Sequence, residues 1–240
     1  MNFGRHAATI AAALFLACAV TSAEAATLTY DAALGSLPEA QGWTFIQDGA
    51  LVPVPTVISG VLNQGPTDFS GHQYWTQSSV GFDFTAGPVT LDARLLIVTS
   101  SFHPFGRGGY NFVLADNAGR IASLYITGAS VFLGNDALSS ISSVIGFDTT
   151  DAFHDYRLAV DASGSTLSID GNVIVSLGLG GVGEGSGPEI YFGDATILGN
   201  SQSQLTQVTV KTVPEPTSIA LLGLGLLGTA AWRRRRVRSI

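Results

Sequence analysis

The sequence predicts an all-β sandwich carried between two terminal targeting segments, and three observations predict it. Through residues 26–212 no apolar residues recur at the 3.6-residue spacing of an amphipathic helix. Apolar residues there alternate instead with polar ones in short runs, punctuated by Gly, Ser, Thr and Asp. The long unbroken apolar runs lie at the two ends, at residues 7–20 and 219–231.

Within the middle, Val80-Gly-Phe82-Asp-Phe84, Tyr110-Asn-Phe112-Val-Leu114 and Tyr156-Arg-Leu158-Ala-Val160 each put one apolar row on one face and are read as strands. The clearest hairpin is Thr166-Leu-Ser-Ile169-Asp170-Gly171-Asn172-Val-Ile-Val175. Its Asp-Gly pair suits a two-residue type I′ turn, which needs positive φ at both central positions. About a dozen such short strands with Gly-rich turns imply a sandwich or barrel.

Residues 1–25 open with Arg5 and His6, continue through the 14-residue apolar stretch 7–20, and end on Ala23-Glu24-Ala25. A basic start, an apolar centre and a small-x-small site describe a secretory signal peptide, with cleavage expected between Ala25 and Ala26 by signal peptidase after passage through the export machinery. Fourteen helical residues rise only ~21 Å, short of a ~30 Å hydrocarbon core. A lipidated-cysteine alternative would use Leu16-Ala17-Cys18, but Phe15 stands where such sites usually have Leu.

The other end reads Val213-Pro214-Glu215-Pro216, then the apolar run 219–231, then Trp232-Arg233-Arg234-Arg235-Arg236. Two prolines two residues apart forbid regular pairing and predict an exposed, extended hinge open to a protease. The apolar run is short for a spanning helix, with Trp232 as an interfacial anchor and the arginines as a positive-inside stop, so the tail is expected in the inner membrane with its arginines in the cytoplasm. Gly223, Gly225 and Gly228 match a dinucleotide fingerprint letter for letter. That fingerprint requires a strand before it and an acidic residue about 20 positions later, and here only arginines follow, so these are small residues of a membrane segment.

This tail resembles the PEP-CTERM sorting signal, a Pro-Glu-Pro motif followed by a short Gly-rich transmembrane stretch and a basic terminus. The resemblance implies recognition by the membrane protease exosortase, in Gram-negative bacteria that make extracellular polysaccharide, and sorting to the cell surface or matrix. Under it Val213, Pro214, Glu215 and Pro216 are a substrate for processing and not a catalytic site. The expected organisation is a signal peptide at 1–25, a sandwich at 26–212 and a sorting signal at 213–238.

A second resemblance lies in the middle. His154-Asp155-Tyr156-Arg157-Leu158-Ala159-Val160-Asp161, the following hairpin with Asp170-Gly171, and Ile190-Tyr-Phe192-Gly193-Asp194 look like late strands of concanavalin A-like (laminin G-like) jelly rolls. It implies a jelly-roll sandwich, a fold that hosts lectins, hydrolases and adhesion modules alike.

Charge narrows the partners. Of the 11 basic residues, Arg5 precedes the sandwich and five lie in the last eight positions, leaving Arg94, Arg107, Arg120, Arg157 and Lys211 against 16 acidic residues in the middle. Such a surface argues against nucleic acid or anionic lipid and suits a neutral glycan, a cation or no ligand. The one cysteine, Cys18, falls in the leading apolar run, so the exported part has no disulfide or thiol chemistry.

Candidate chemistry is sparse. Glu184 and Glu189 have the outer spacing of the E-x-D-x-x-E motif of jelly-roll glycoside hydrolases, but Ser186 replaces the central Asp, and Gly185, Gly187 and Pro188 read as a loop. The expected function is a non-enzymatic surface or matrix protein associated with exopolysaccharide, with a lectin-like sandwich to bind glycan; the alternatives are an extracellular glycoside hydrolase or lyase on this fold and a purely structural or adhesion module. His72, His103 and His154 are too far apart for a zinc motif. Ser70-Gly-His72-Gln-Tyr74-Trp75 has the polar and aromatic content of a sugar-stacking loop, making His72, Tyr74 and Trp75 candidate glycan contacts. Asp148, Asp151 and Asp155, within eight residues, are candidate calcium ligands, since that ion takes six to eight oxygens.

Overall fold

The computed structural model describes residues 26–49, 52–67, 71–101, 109–135, 140–182, 187–195 and 200–212. All of them belong to one compact unit, Ala26–Val213. Ala23 and Ala25 of the expected cleavage site, the sorting residues Val213, Pro214, Glu215 and Pro216, and the stop at Trp232, Arg233, Arg234, Arg235 and Arg236 lie outside the described residues. Among the described residues no helix is long and apolar enough to cross a membrane.

The described strands form two antiparallel sheets. The first orders β13 (Asn172–Gly178), β12 (Gly164–Ile169), β11 (His154–Asp161), β6 (Val89–Ser101), β15 (Asn200–Thr212), β4 (Val61–Gln64) and β3 (Thr56–Ile58), with β1 (Thr27–Asp31) also on β15. The second orders β10 (Ile145–Gly146), β9 (Ser130–Gly134), β8 (Ile121–Ile126), β7 (Tyr110–Ala115), β14 (Glu189–Asp194), β5 (His72–Gln77) and β2 (Thr44–Asp48). One 13-residue strand serves two neighbours on the same side: the end of β15 pairs with β1 and its beginning with β4.

Period-two alternation is what packs the sheets together. Along β11 His154, Tyr156, Leu158 and Val160 are buried while Asp155, Arg157 and Asp161 are exposed. Inward rows from both sheets interdigitate in one core that includes Trp75, Tyr110, Phe112, Leu158, Phe192 and Val208. Tyr30 of β1 stacks on Phe192 of β14 across the sandwich, with ring centroids 6.0 Å apart. The Asp170-Gly171 turn has φ of 50° and 81°, the positive pair that the hairpin sequence predicts.

Two strand-level expectations change. Residues 80–84 are not a strand, although Phe82 and Phe84 are buried as the alternation requires. Their backbone is taken by side chains and a turn instead: Phe84 N–H donates to Asp116 Oδ2 at 3.3 Å, Asp83 Oδ1 accepts from Thr85 N–H at 2.8 Å, and Asn117 N–H donates to Phe82 O at 2.9 Å. Residues 72–77, read from sequence as part of a loop, form β5, a strand paired on both sides by β14 and β2.

Candidate functional site: an aromatic row on the outer face of the second sheet

Because β5 is a strand, its side chains divide between two faces. Gln73 and Trp75 point inward, whereas His72, Tyr74 and Thr76 point outward and are half-buried. Trp75 is therefore a core residue and not a glycan contact: it is fully buried, packs on Phe45 and Phe192, and donates its indole N–H to Glu39 Oε2 at 3.0 Å. Trp43 is likewise buried, edge-on against Phe192.

Pairing of β14 with β5 sets Tyr191 opposite Thr76 and Gly193 opposite Tyr74. Tyr191 consequently joins the outward row, its ring 5.4 Å from Tyr74, which in turn lies 5.5 Å from the His72 ring. Glu189, two residues before Tyr191 on the same face, accepts a hydrogen bond from Thr76 Oγ1 at 2.8 Å. Burial, and then the charge of the Glu189 carboxylate, push the Tyr74 phenol above its ordinary pKa, so it stays a neutral hydroxyl that donates and accepts. On β2, Ile46 is registered with Tyr74 and Asp48 with His72.

Gly193 is what lets these strands close up behind Tyr74. Its φ is +132°, and a Cβ built there would stand 2.6 Å from Gln73 O and 2.7 Å from Tyr74 Cα. Farther across the sheet the same face becomes buried at Val113, Tyr125 and Phe132, with the last two rings stacked at 4.8 Å. The arrangement offers π-faces, a phenol and a carboxylate to a planar polyhydroxyl ligand.

Of the two glutamates weighed from sequence, Glu184 lies outside the described residues and Glu189 opens strand β14. The described carboxylates on this face are Glu189 and Asp48, two strand spacings and about six positions of register apart. Sheet spacings put them about 22 Å apart, well beyond the ~9.5 Å limit of a glycosidase pair.

The three aspartates suggested for calcium do not converge. Asp148 caps Thr150, accepting its N–H at 2.9 Å and its hydroxyl at 2.7 Å. Asp151 faces His154 Nε2 at 2.8 Å, and Asp155 takes both its oxygens to Arg94 Nη1 at 3.0 and 3.1 Å. Asp148 and Asp151 lie in the loop before β11 and Asp155 on that strand's outward row, and among the described residues no group of three or more His, Cys, Asp or Glu side chains comes together as a metal site. His154 is engaged at both ring nitrogens, since Nδ1 lies 2.7 Å from Asp170 Oδ2.

Comparison with known proteins bears on the tail and the fold. A family model described as the PEP-CTERM protein-sorting motif matches residues 212–236. No curated protein matches the chain in sequence. Among solved structures, a conserved carbohydrate esterase from the Shiga toxin-encoding bacteriophage phi24B superposes with a TM-score of 0.55 at 14% identity, over 79% of this chain and 99% of that one. The cellulose-induced protein Cip1 gives 0.51 at 12% identity, over 76% and 95%. A protein of unknown function from Shewanella oneidensis MR-1 gives 0.53 at 12% identity, over 83% and 92%. At these identities the likeness is one of fold. The chain is thus a concanavalin A-like jelly-roll sandwich followed by a PEP-CTERM sorting motif, the mark of an exported protein sorted to the cell envelope.

Proposed function

We propose that this protein is a non-enzymatic surface or matrix component that binds polysaccharide through the outer face of its second sheet and is released there after exosortase processes its tail. The observation that carries the reading is the row His72, Tyr74 and Tyr191, half-buried on one face with Glu189 and Thr76 beside it. Stacking of sugar rings on such aromatic faces, with hydroxyls bonded to a carboxylate and a phenol, is how a sandwich face holds a glycan without chemistry on it. The sorting motif supplies the destination, and the jelly-roll likeness to a carbohydrate esterase supports glycan as the ligand class.

The test is binding of the full chain, purified in detergent, to a glycan array and to exopolysaccharide from a producing strain. Y74A and Y191A together are expected to weaken binding at least about tenfold, the loss typical of a central aromatic contact. Unchanged binding by that double variant would remove the aromatic row as the site. Shortening of the bound polysaccharide during incubation would instead support a glycoside hydrolase or lyase.

A further inference from the structure

On the opposite side of the sandwich, the outer face of the first sheet carries a groove of about 510 Å³ lined by Asp92, Arg157, Ser168, Gln207, Thr209 and Lys211. We infer that this groove is a second polysaccharide site, specific for carboxylate-bearing sugars, with the Arg157 guanidinium and the Lys211 ammonium as its anion-binding groups. It rests on the reading of the protein as a polysaccharide binder and adds a class of sugar and a separate face to it.

Charge in the sandwich is distributed against this groove being accidental. The 26–212 region holds 16 acidic residues and only five basic ones. Three of those five, Arg94, Arg157 and Lys211, face outward on adjoining strands of this one sheet face.

Pairing engages both carboxylates that line the groove, Asp92 and Asp155, while Asp31 and Asp161 on the same sheet face accept from backbone N–H groups instead. Asp155 spends both oxygens on Arg94, and Asp92 Oδ1 accepts from Arg157 Nε at 2.6 Å. Binding through Nε alone leaves the two Nη groups of Arg157 without a partner among the described residues, and they form the edge that grips a carboxylate with two parallel hydrogen bonds. Lys211 has no ion pair among the described residues and is exposed at the end of β15, beside Thr27 and Thr90. The groove's unspent ionic valence is therefore positive, although the domain is acidic.

Register sets the spacing of the two cations. Arg157 on β11 is opposite Asp92 on β6, which is opposite Thr209 on β15; Lys211 lies two residues farther along. Two strand spacings and a two-residue offset put the Arg157 and Lys211 Cα atoms about 12 Å apart. Long side chains reaching inward from both ends can meet one sugar carboxylate or two on neighbouring sugars, while Ser168, Gln207 and Thr209 between them offer hydroxyl and amide partners for ring hydroxyls.

The probe is hexagalacturonate, with its methyl-esterified, uncharged form as control, titrated against the full chain in detergent at low and high salt. Wild type is expected to prefer the acid form, and its affinity should fall as added salt shortens the Debye length from about 10 Å to about 3 Å. R157Q with K211Q should lose roughly tenfold of the acid-form affinity and most of its salt dependence, while leaving binding of the esterified form unchanged. R157K tests the fork itself and should lose part of the preference at unchanged net charge, with an unaltered thermal transition confirming that each variant folds. Equal affinity for the two forms, or acid-form binding that survives R157Q with K211Q, overturns the inference. If Y74A with Y191A abolishes glycan binding while the groove variants do nothing, the first site stands alone; if the groove variants act and the tyrosine variants do not, the aromatic row is the reading that fails.

Discussion

His154 offers the sharpest test of how this sandwich depends on pH. Its imidazole is almost buried and is held between two carboxylates, with Nδ1 2.7 Å from Asp170 and Nε2 2.8 Å from Asp151. Phe147 and Tyr156 cover the ring edge-on. A neutral imidazole has one N–H and one lone pair, so it can satisfy only one of these acceptors and must aim its lone pair at the other. Only the cation donates to both. Burial works against that cation, but the hydrogen bonds to Asp170 and Asp151 and their charges outweigh it and hold the His154 pKa above its ordinary value.

A pKa raised on folding gives stability that is complete below the unfolded value of about 6.5 and is lost as pH rises through the folded value. Charge-assisted hydrogen bonds contribute about 1.5–3 kcal/mol each in protected settings. Here Asp151 and Asp170 are 59% and 46% exposed, so solvent reduces each to about 1 kcal/mol. H154F keeps the ring packing and removes both nitrogens. Urea unfolding of wild type and H154F should differ by about 2 kcal/mol at pH 5.5 and by about 1 kcal/mol at pH 9, where one of the two bonds has gone. Imidazole NMR shifts should titrate above pH 6.5. A wild-type to variant difference that is constant from pH 5.5 to 9, or an imidazole that titrates at or below 6.5, would refute the clamp.

Two structural substitutions should be costlier. Asp116 is fully buried, with Oδ1 accepting from the N–H groups of Ala118 and Arg120 and Oδ2 from Phe84 N–H and Arg120 Nη1. D116A strands the three backbone N–H donors and leaves Arg120 with Asp83 alone, and should cost about 3–5 kcal/mol in chemical unfolding, with the 80–88 segment the first to lose amide protection. G193A forces a Cβ into the β5 backbone at Tyr74 and should cost about 2–3 kcal/mol and weaken glycan binding together, whereas loss of stability alone would separate Gly193 from the aromatic row.

What could be read from the sequence is what is decided locally. Asp170-Gly171 specifies its turn within two residues, and the alternation of residues 156–160 specifies which row of β11 is buried, so both agree with the structure. The segment around Trp75 resisted for a definite reason: both of its alternating rows contain an aromatic ring, and only tertiary packing decides that the row with Gln73 and Trp75 goes inward. Gln73 tolerates this because its Nε2 donates to Pro53 O at 2.7 Å, a partner far away in sequence. Tyr191 joins His72 and Tyr74 through the pairing of β14 with β5, and nothing in the distant segment around it announces that neighbour. Gly185, Gly187 and Pro188 make the segment before Glu189 read as a loop, yet a strand begins at Glu189 itself. The three aspartates near His154 do not form a metal site for the opposite reason: they are close in sequence, but each is engaged by a different partner, Thr150, His154 or Arg94.

Topology also ties folding of the sandwich to the sorting motif that follows it. β15, the last strand, lies inside the first sheet, with β6 on one side and both β4 and β1 on the other. Its final residue, Thr212, closes a pair with Ala26, donating its N–H to Ala26 O at 3.0 Å and accepting from Ala26 N–H on Oγ1 at 2.9 Å. Until β15 is available, β6 lacks one of its neighbours, β1 has no partner in the sheet, and the inward row Leu205, Val208 and Val210 is missing from the core. Contacts of such long sequence separation form late, because loop closure must be met before burial rewards it. The sandwich therefore completes itself only when residue 212 has been delivered, and residue 212 is where the sorting motif begins. Truncations that remove the tail after residue 212 should leave the sandwich folded, while removal of residues 205–212 as well should leave no cooperative unfolding transition at all.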